Sequence, residues 1–322
     1  MILCRLAAKD CKRLFYTQIP LRLQITYNPP FGIDWKREQK AVEQEAALGD
    51  KGRFGAGLPK ISDGQQLFVL NGLAKLAEDG KMAIIQNGSP LFAGDAGSGS
   101  SNIRQYILEN DWLEAIVQLG TDQFMNTGIS TYIWVLNKSK PSYRAGKVQL
   151  IDASHCYEPR RKSIGTKRND ITDRCRELIV TAYGEFEEKV YGEKGGIYCE
   201  SKIFDAVEFG YNKIVVERPK RDENGNIIKD KKGKPVADPD LRDTENVPLS
   251  QDIDSYFARE VLPYAPDAWI DTKKTKVGYE IPMTRYFYEY QAPEASEDIA
   301  KRISALEADI SASLNSLFRK GD

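Results

Sequence analysis

The chain has 322 residues, 41% of them hydrophobic and 29% charged, and its 46 Lys and Arg offset 47 Asp and Glu to a formal net charge of −1. That length supports a core without disulfide or metal staples, so a mini-protein and a disordered chain are both excluded, and the balanced charge excludes a polycation while saying nothing about nucleic acid. The five cysteines (Cys4, Cys11, Cys156, Cys175, Cys199) contain no CxxC pair, which argues against a secreted disulfide framework and a zinc ribbon and fits a reducing, cytoplasmic setting. His155 is the only histidine, so neither a Ser-His-Asp triad nor a multi-histidine metal site is expected.

In chain order, the first predicted element is a short strand over 21–27. The N-terminal apolar runs are broken by Arg5, Lys9, Asp10, Lys12 and Arg13, and no apolar stretch approaches the roughly 18 residues of a membrane span, so no membrane partner is expected. A Gly- and Lys-rich stretch to Leu58 reads as a long loop with one helix over 37–48. Asp63 stands at a helix-cap position, and Leu67, Leu70, Leu73, Ala74 and Ala77 follow at helical spacing to a stop at Gly80. Strands are predicted over 81–85, 113–119, 131–136 and 148–151, with a helix over 103–110. Alternating helix and strand gives an α/β half with a largely parallel sheet.

The second half is different. The charged segment 164–191 reads as mostly helical, 213–217 as the end of a strand, and 218–243 as an exposed hairpin around the Asn224-Gly225 and Lys232-Gly233 turn signals. Ile299, Ile303, Leu306, Ile310, Leu314 and Leu317 recur every three or four residues, a narrow seam on one helix that fits a partner helix. No internal repeat is evident.

The tetrapeptide Asn28-Pro29-Pro30-Phe31 carries the chemistry. Its two prolines remove two donors and fix φ, which leaves the Asn28 side-chain oxygen and the Pro29 carbonyl as acceptors beside an aromatic face. Two acceptors aimed at an amino group on a flat ring take both its hydrogens, draw the nitrogen towards sp³ geometry and point its lone pair at an electrophile. No strong general base is then required, in keeping with the single histidine. For a base in duplex DNA, stacking on Phe31 requires flipping it out. The same tetrapeptide also serves as a plain turn elsewhere. Here it follows a predicted strand and precedes a long loop, which is where open α/β sheets place ligands.

The segments NPPFGIDWK, GRFGAGLPKISDGQQLF and GKMAIIQNGSPLFAGDAGSGSSNIRQYILENDWLEAIVQLGTDQFMNTGISTYIWVLNKSK resemble the modification subunit of type I restriction-modification systems, which are adenine-specific DNA methyltransferases. The similarity continues through FGYNKIVVERP, RDTENVPL, LPYAPDAWID and KVGYEIPMTRYFYEY. The resemblance implies a partial Rossmann-like S-adenosylmethionine-dependent methyltransferase sheet, followed by a mixed α+β region and a C-terminal helix. It implies an atypical segment at 1–27, the C-terminal part of the catalytic domain at 28–155, a mixed region at 156–258 and a terminal segment at 259–322. It further implies that Asn28, Pro29, Pro30 and Phe31 hold the target adenine, that S-adenosylmethionine is the methyl donor, and that DNA, a specificity subunit and a restriction subunit are partners.

The family's glycine-containing donor motif belongs ahead of NPPF, and no glycine occurs among residues 1–27, so a truncated or disrupted chain is expected. The Gly94–Ser100 run GDAGSGS is rejected as a substitute and read as a flexible surface loop, because Asn87-Gly88-Ser89-Pro90 separates it from the preceding strand. Two alternatives stay open: an inactive fragment that keeps assembly or DNA contacts, and a methyltransferase acting on a protein glutamine. Further candidates for contact with DNA are Asp34, Trp35, Lys36, Lys60, Thr127, Arg160, Arg161 and Lys162, with Phe124, Gly128 and Ser130 near the base or donor. Asp63 is read as a cap and His155 as structural.

Overall fold

The computed structural model describes residues 22–288, 290 and 293–318. The chain divides into a large unit ending at Met283 and a C-terminal unit from Thr284. Cys4, Cys11 and the expected atypical segment, up to residue 21, lie outside the described residues.

Strand β1 (Arg22–Tyr27) leads into the NPPF loop, followed by helices α1 (Gln39–Ala46) and α2 (Gln65–Lys75) and strand β2 (Leu76–Gln86). Helix α2 ends earlier than its apolar spacing predicts, because Leu76 pairs with Arg22 of β1 and starts a strand whose register then jumps to Gln24↔Lys81. Ala77 thus lies in a strand irregularity, since pairing with β1 outweighs local periodicity. Asp63 is not the N-cap residue; Gly64 is, and the Asp63 carboxylate accepts from the Gln65 backbone N–H and side-chain amide at 3.3 and 2.9 Å.

Helices α3 (Ser89–Phe92) and α4 (Gly99–Glu109) precede strands β3 (Leu113–Leu119), β4 (Thr131–Asn137) and β5 (Lys147–Ala153). β3 is mostly apolar, with six of its seven residues buried, Glu114 among them, as the middle of a covered sheet demands. Next come β6 (Glu158–Ile164), β7 (Lys167–Asp170), α5 (Asp173–Glu185), β8 (Lys189–Gly192) and β9 (Tyr198–Asp205). The helix expected over 164–191 is confined to α5. A Gly165-Thr166 turn makes β6 and β7 a hairpin whose residues are exposed or half-buried, so no hydrophobic period marks it.

The main sheet has the order β1-β2-β4-β3-β5-β9-β8. It is mixed rather than largely parallel: β1–β2 and β3–β5 are parallel, whereas β4 runs antiparallel to both its neighbours and β8 and β9 are antiparallel additions. The β3–β4 connection has no crossover helix, and such a return can only be antiparallel. The sheet also runs through position 155, where the resemblance set a boundary, because β9 pairs on β5. Helix α5 covers one face, its Cys175 and Ala182 packing in one cluster with Val117, Leu119, Ile151, Ala153, Cys156 and Cys199.

A second sheet is built on β10 (Gly210–Glu217), flanked by β11 (Asp243–Pro248) and, after helix α6 (Ile253–Glu260), by β12 (Trp269–Ile270) and β13 (Lys276–Tyr279). The GDAGSGS run joins this sheet to the first, which corrects its reading as a flexible surface loop. The Gly97 N–H donates to the Val277 carbonyl at 3.1 Å, Lys213 reaches both Asp95 oxygens at 2.7 and 2.9 Å, and the Tyr279 N–H donates to the Ser101 hydroxyl at 2.9 Å. Arg104, buried in α4, donates to the carbonyls of Tyr279, Pro90 and Ala93.

Between β10 and β11 the chain forms two successive hairpins built on one plan. In each, an aspartate (Asp222, Asp230) accepts the N–H of the glycine three residues on and returns its own N–H to the residue after it. In each, the aspartate side chain also caps two further N–H groups, and the glycine (Gly225, Gly233) has positive φ. The eight-residue period relating RDENGNII to KDKKGKPV is therefore an internal repeat that the sequence reading missed.

Glu217, at the end of β10, is 2% exposed and accepts from Arg242 at 2.9 Å and Lys274 at 2.8 Å. Burial pushes its carboxyl up, but the two cations outweigh that and hold it below its usual 4.5. A carboxyl lowered in the folded state stabilises above pH 4.5, and that stabilisation is lost as pH falls through the lowered value. Urea midpoints are expected to fall on acidification below that point, and Glu217→Gln is expected to remove part of the fall. An unchanged pH profile in the variant would show that the pair contributes nothing.

Helix α7 (Met283–Phe287) starts at the last residue of the large unit, and the C-terminal unit holds α8 (Ser296–Phe318), along which Ile299, Ile303, Leu306, Ile310 and Leu314 are all exposed. The Leu317 side chain lies outside the described residues. Among the described residues no helix is long and apolar enough to cross a membrane.

Candidate nucleobase site

The carboxyl ends of β1, β2, β3 and β5 lie along one rim of the main sheet, together with the start of β4, as the pairs Tyr27↔Ile84, Gln86↔Tyr132, Gln118↔Tyr132 and Gln118↔Asp152 require. NPPF leaves this rim directly after β1. Asn28 is exposed, Pro29 is buried and Phe31 is half-buried, and the Asn28 side chain takes no hydrogen bond among the described residues. Phe31 meets Phe124 edge to face, with ring centroids 6.5 Å apart at 81°. Phe124 belongs to the β3–β4 loop and reaches back along the rim to the NPPF aromatic. An edge-to-face contact engages one ring's edge with the other's face, and it brings the NPPF loop and the β3–β4 loop together at this rim.

The loop after NPPF is fixed by a buried anchor. Trp35 is 6% exposed, donates its indole N–H to the Lys60 carbonyl at 3.0 Å and its backbone N–H to the Ile61 carbonyl at 3.1 Å. That burial contradicts Trp35 as a contact for DNA and makes it a structural post. Asp34, Lys36 and Lys60 are exposed around it.

Thr127 lies in the Phe124 loop, forms a bridge with Phe124, and accepts the Ile129 N–H on its hydroxyl at 3.4 Å. Gln123, before Phe124, is 6% exposed and neither polar atom of its amide has a partner among the described residues. Nothing in the sequence marked it, because a glutamine beside a glycine-rich loop ordinarily faces solvent. His155, read as structural, is exposed on the same rim and stacks on Tyr198 at 4.7 Å. With Tyr157, Gly195, Gly196 and Ile197 they line a cleft of 380 Å³.

The basic run lies on the β6–β7 hairpin, and its members are not equivalent. Arg160 grips Asp170 with two bonds of 2.7 and 2.5 Å, and Lys167 reaches the same carboxylate at 2.9 Å. Lys167 first and Arg160 second hold Asp170 below its usual carboxylate range. Arg160, expected among the contacts for DNA, is therefore already engaged with Asp170. Arg161, Lys162 and Arg168 are exposed, with no ion partner among the described residues.

Comparison with known proteins bears on the family of the chain. The chain is 27% identical over 165 residues to the MjaIX type I restriction enzyme methylase subunit of Methanocaldococcus jannaschii, covering 51% of this chain and 28% of that protein. It is 25% identical over 166 residues to the MpnII type I restriction enzyme methylase subunit of Mycoplasma pneumoniae, covering 51% of this chain and again 28% of the relative. The crystal structure of a type I restriction-modification methyltransferase subunit from Streptococcus thermophilus superposes with a TM-score of 0.49 at 24% identity, over 62% of this chain and 38% of that one. The chain thus spans little more than a quarter of the length of the two curated relatives. The family model for N-6 DNA methylases matches residues 22–222, from the first residue of β1 through the second sheet's central strand, and the chain belongs to the N-6 DNA methylase family.

Proposed function

We propose that this chain holds the target adenine of an N6-adenine DNA methyltransferase, as part of the modification subunit of a type I restriction-modification complex. The observation that carries the reading is the pairing of Phe31 with Phe124 beside the unpartnered Asn28. A flipped adenine stacks on Phe31 with the edge of Phe124 at its border, and Asn28 Oδ1 and the Pro29 carbonyl accept the two N6 hydrogens. Holding both hydrogens turns the nitrogen lone pair outward, so positioning does most of the work. Arg161 and Lys162, with Lys36 and Lys60, meet phosphates, and the exposed seam of α8 meets a helix of the specificity subunit. The family match sets aside the protein-glutamine reading.

In this family's chemistry the methyl group comes from S-adenosylmethionine. The described residues do not fit that group. The glycine-rich run Gly94–Ser100 is occupied by its own structure: Lys213 takes Asp95, Val277 takes the Gly97 N–H, and the Ser98 hydroxyl accepts the Ser101 N–H at the start of α4. This favours a second reading, in which the chain contributes target-base and assembly contacts without catalysing transfer by itself.

The first reading is tested by anisotropy with thymine single strands carrying one central adenine or one hypoxanthine. Hypoxanthine puts a carbonyl where the amine stands, so two acceptors face a third. The adenine strand is expected to bind about tenfold more tightly, roughly 1.4 kcal/mol, and Asn28→Ala is expected to abolish the difference. Equal affinities for the two strands would remove the assignment of Asn28 and Pro29.

A further inference from the structure

The β6–β7 hairpin lies directly against the loop that carries Phe124, and the joint is dense. Thr166 donates its N–H to the Met125 carbonyl at 3.0 Å and its hydroxyl to the Phe124 carbonyl at 2.9 Å. The N–H groups of Arg168 and Asn169 both reach the Asp122 carbonyl, at 2.8 and 3.1 Å, and the Asn169 amide reaches the Thr121 carbonyl at 3.0 Å. The irregular segment 121–125 is thereby added to the hairpin as a third, uneven strand. Gly165, at the hairpin turn with φ +60°, lets the two backbones touch, for a Cβ there would overlap the Met125 carbonyl oxygen.

The same hairpin carries the unpaired cations Arg161, Lys162 and Arg168. Asp170 pairs with both Arg160 and Lys167 and ties the two strands of the hairpin together, while the other three cations have no ion partner among the described residues and stay open to a ligand. Arg168 does both jobs at once, its N–H anchoring the loop while its guanidinium stands in solvent. A ribbon that presents bare cations and grips the loop of the stacking aromatic joins two functions that the sequence separates by some forty residues.

We propose that the β6–β7 hairpin is a clamp: Arg161, Lys162 and Arg168 grip the sugar-phosphate backbone beside the target base, while Thr166 and Asn169 seat Phe124 against Phe31. Backbone binding and base stacking then form as one event. Thr166 and Asn169 are positioning residues, since neither touches the base. This inference rests on the base-holding function proposed above and adds the part of the molecule that enforces it.

The test uses the full chain and a thymine single strand with one central 8-vinyladenine, a fluorescent base that keeps the 6-amino group. Anisotropy reads binding and its salt dependence, and fluorescence reads stacking. Thr166→Val and Gly165→Ala are expected to reduce the fluorescence change at saturation at least threefold with the salt slope unchanged, whereas Thr166→Ser retains it. Arg161→Gln combined with Lys162→Gln is expected to lower the salt slope by about 0.7 per cation. A wild-type signal lost in Phe31→Ala but kept in Thr166→Val and in Gly165→Ala, or an unchanged slope in the double variant, overturns the clamp alone. Absence of any wild-type signal overturns the base-holding reading and the clamp with it. Asn169→Ala, which removes one anchor and creates no clash, is expected to show the same loss in part, and its full retention of signal counts against the clamp even if Gly165→Ala fails to fold.

Discussion

Replacing Arg144 by Met is expected to reduce folding stability by about 3–5 kcal/mol, read as a lower urea midpoint with an unchanged slope. Arg144 is 2% exposed and faces Glu114, also 2% exposed, at 3.4 Å. The Glu114 carboxylate takes further bonds of 2.5 Å from Asn137 and from the Tyr183 hydroxyl, and Arg144 also donates to Gln149 at 3.2 Å and to the Tyr183 carbonyl. The guanidinium lies over the rings of Tyr183 and Phe186 at 4.5 and 4.3 Å. Methionine fills much of the volume, so the loss falls on the polar contacts: Glu114 stays behind, buried and without its cation, and the Gln149 oxygen and the Tyr183 carbonyl lose their donor. Burial, and then Glu114, also push the Tyr183 hydroxyl above its usual range, so that phenol stays protonated as a donor. Removing both charges together, as in Arg144→Met with Glu114→Leu, is expected to be milder than Arg144→Met alone. If the double variant is the worse of the two, the stranded Glu114 charge is not what makes the single replacement costly.

The second large effect belongs to a glycine. A Cβ on Gly99, the first residue of α4, would overlap the Leu58 carbonyl oxygen and stand 2.7 Å from Leu58 C and N. Gly57 returns the contact, since a Cβ there would lie 2.7 Å from the Gly99 carbonyl oxygen. Two stretches of backbone touch with no side chain able to give way, so Gly99→Ala is expected to cost about 3 kcal/mol by overpacking. Gly184 is the control. It lies near the end of α5, has nothing within 4 Å of a built Cβ, and is not among the positive-φ residues, so alanine there is expected to stabilise by about 0.5–1 kcal/mol. Equal melting shifts at the two positions would show that helix propensity, and not the backbone contact, decides.

What the sequence revealed follows where a face is buried. β3 was legible to the residue because Leu113, Ala115, Ile116, Val117 and Leu119 form a mostly apolar run, ending before Gly120, in the middle of the sheet. NPPF could be picked out because four consecutive residues carry its pattern, whereas the contact of Phe124 with Phe31 joins residues more than ninety positions apart and was not legible. β6 and β7 were hidden because RRKSIGTKRND buries neither face, and a period-2 signal needs one apolar side. The GDAGSGS run was misread because the groups that order it, at Val277 and Tyr279, lie far along the chain. The direction of β4 was missed because strand patterning carries no sign; only the connection sets it. Trp35 illustrates the remaining gap, since an aromatic beside a motif reads the same whether it faces a ligand or anchors the loop beneath.

The paired turns of the ribbon between β10 and β11 have their shape written by Asp222 and Gly225 in one and by Asp230 and Gly233 in the other, with one added bond from the Asn226 amide to Asp222, which leaves most of the remaining tip side chains without an architectural duty. One tip uses that freedom for Glu223, Asn224 and Asn226, the other for Lys231, Lys232 and Lys234. Two outcrops of the same form, a single period apart, thus bear opposite polarity, so the ribbon points a fixed local dipole into solvent whose sign can be inverted by redecorating the tips without disturbing a single backbone bond.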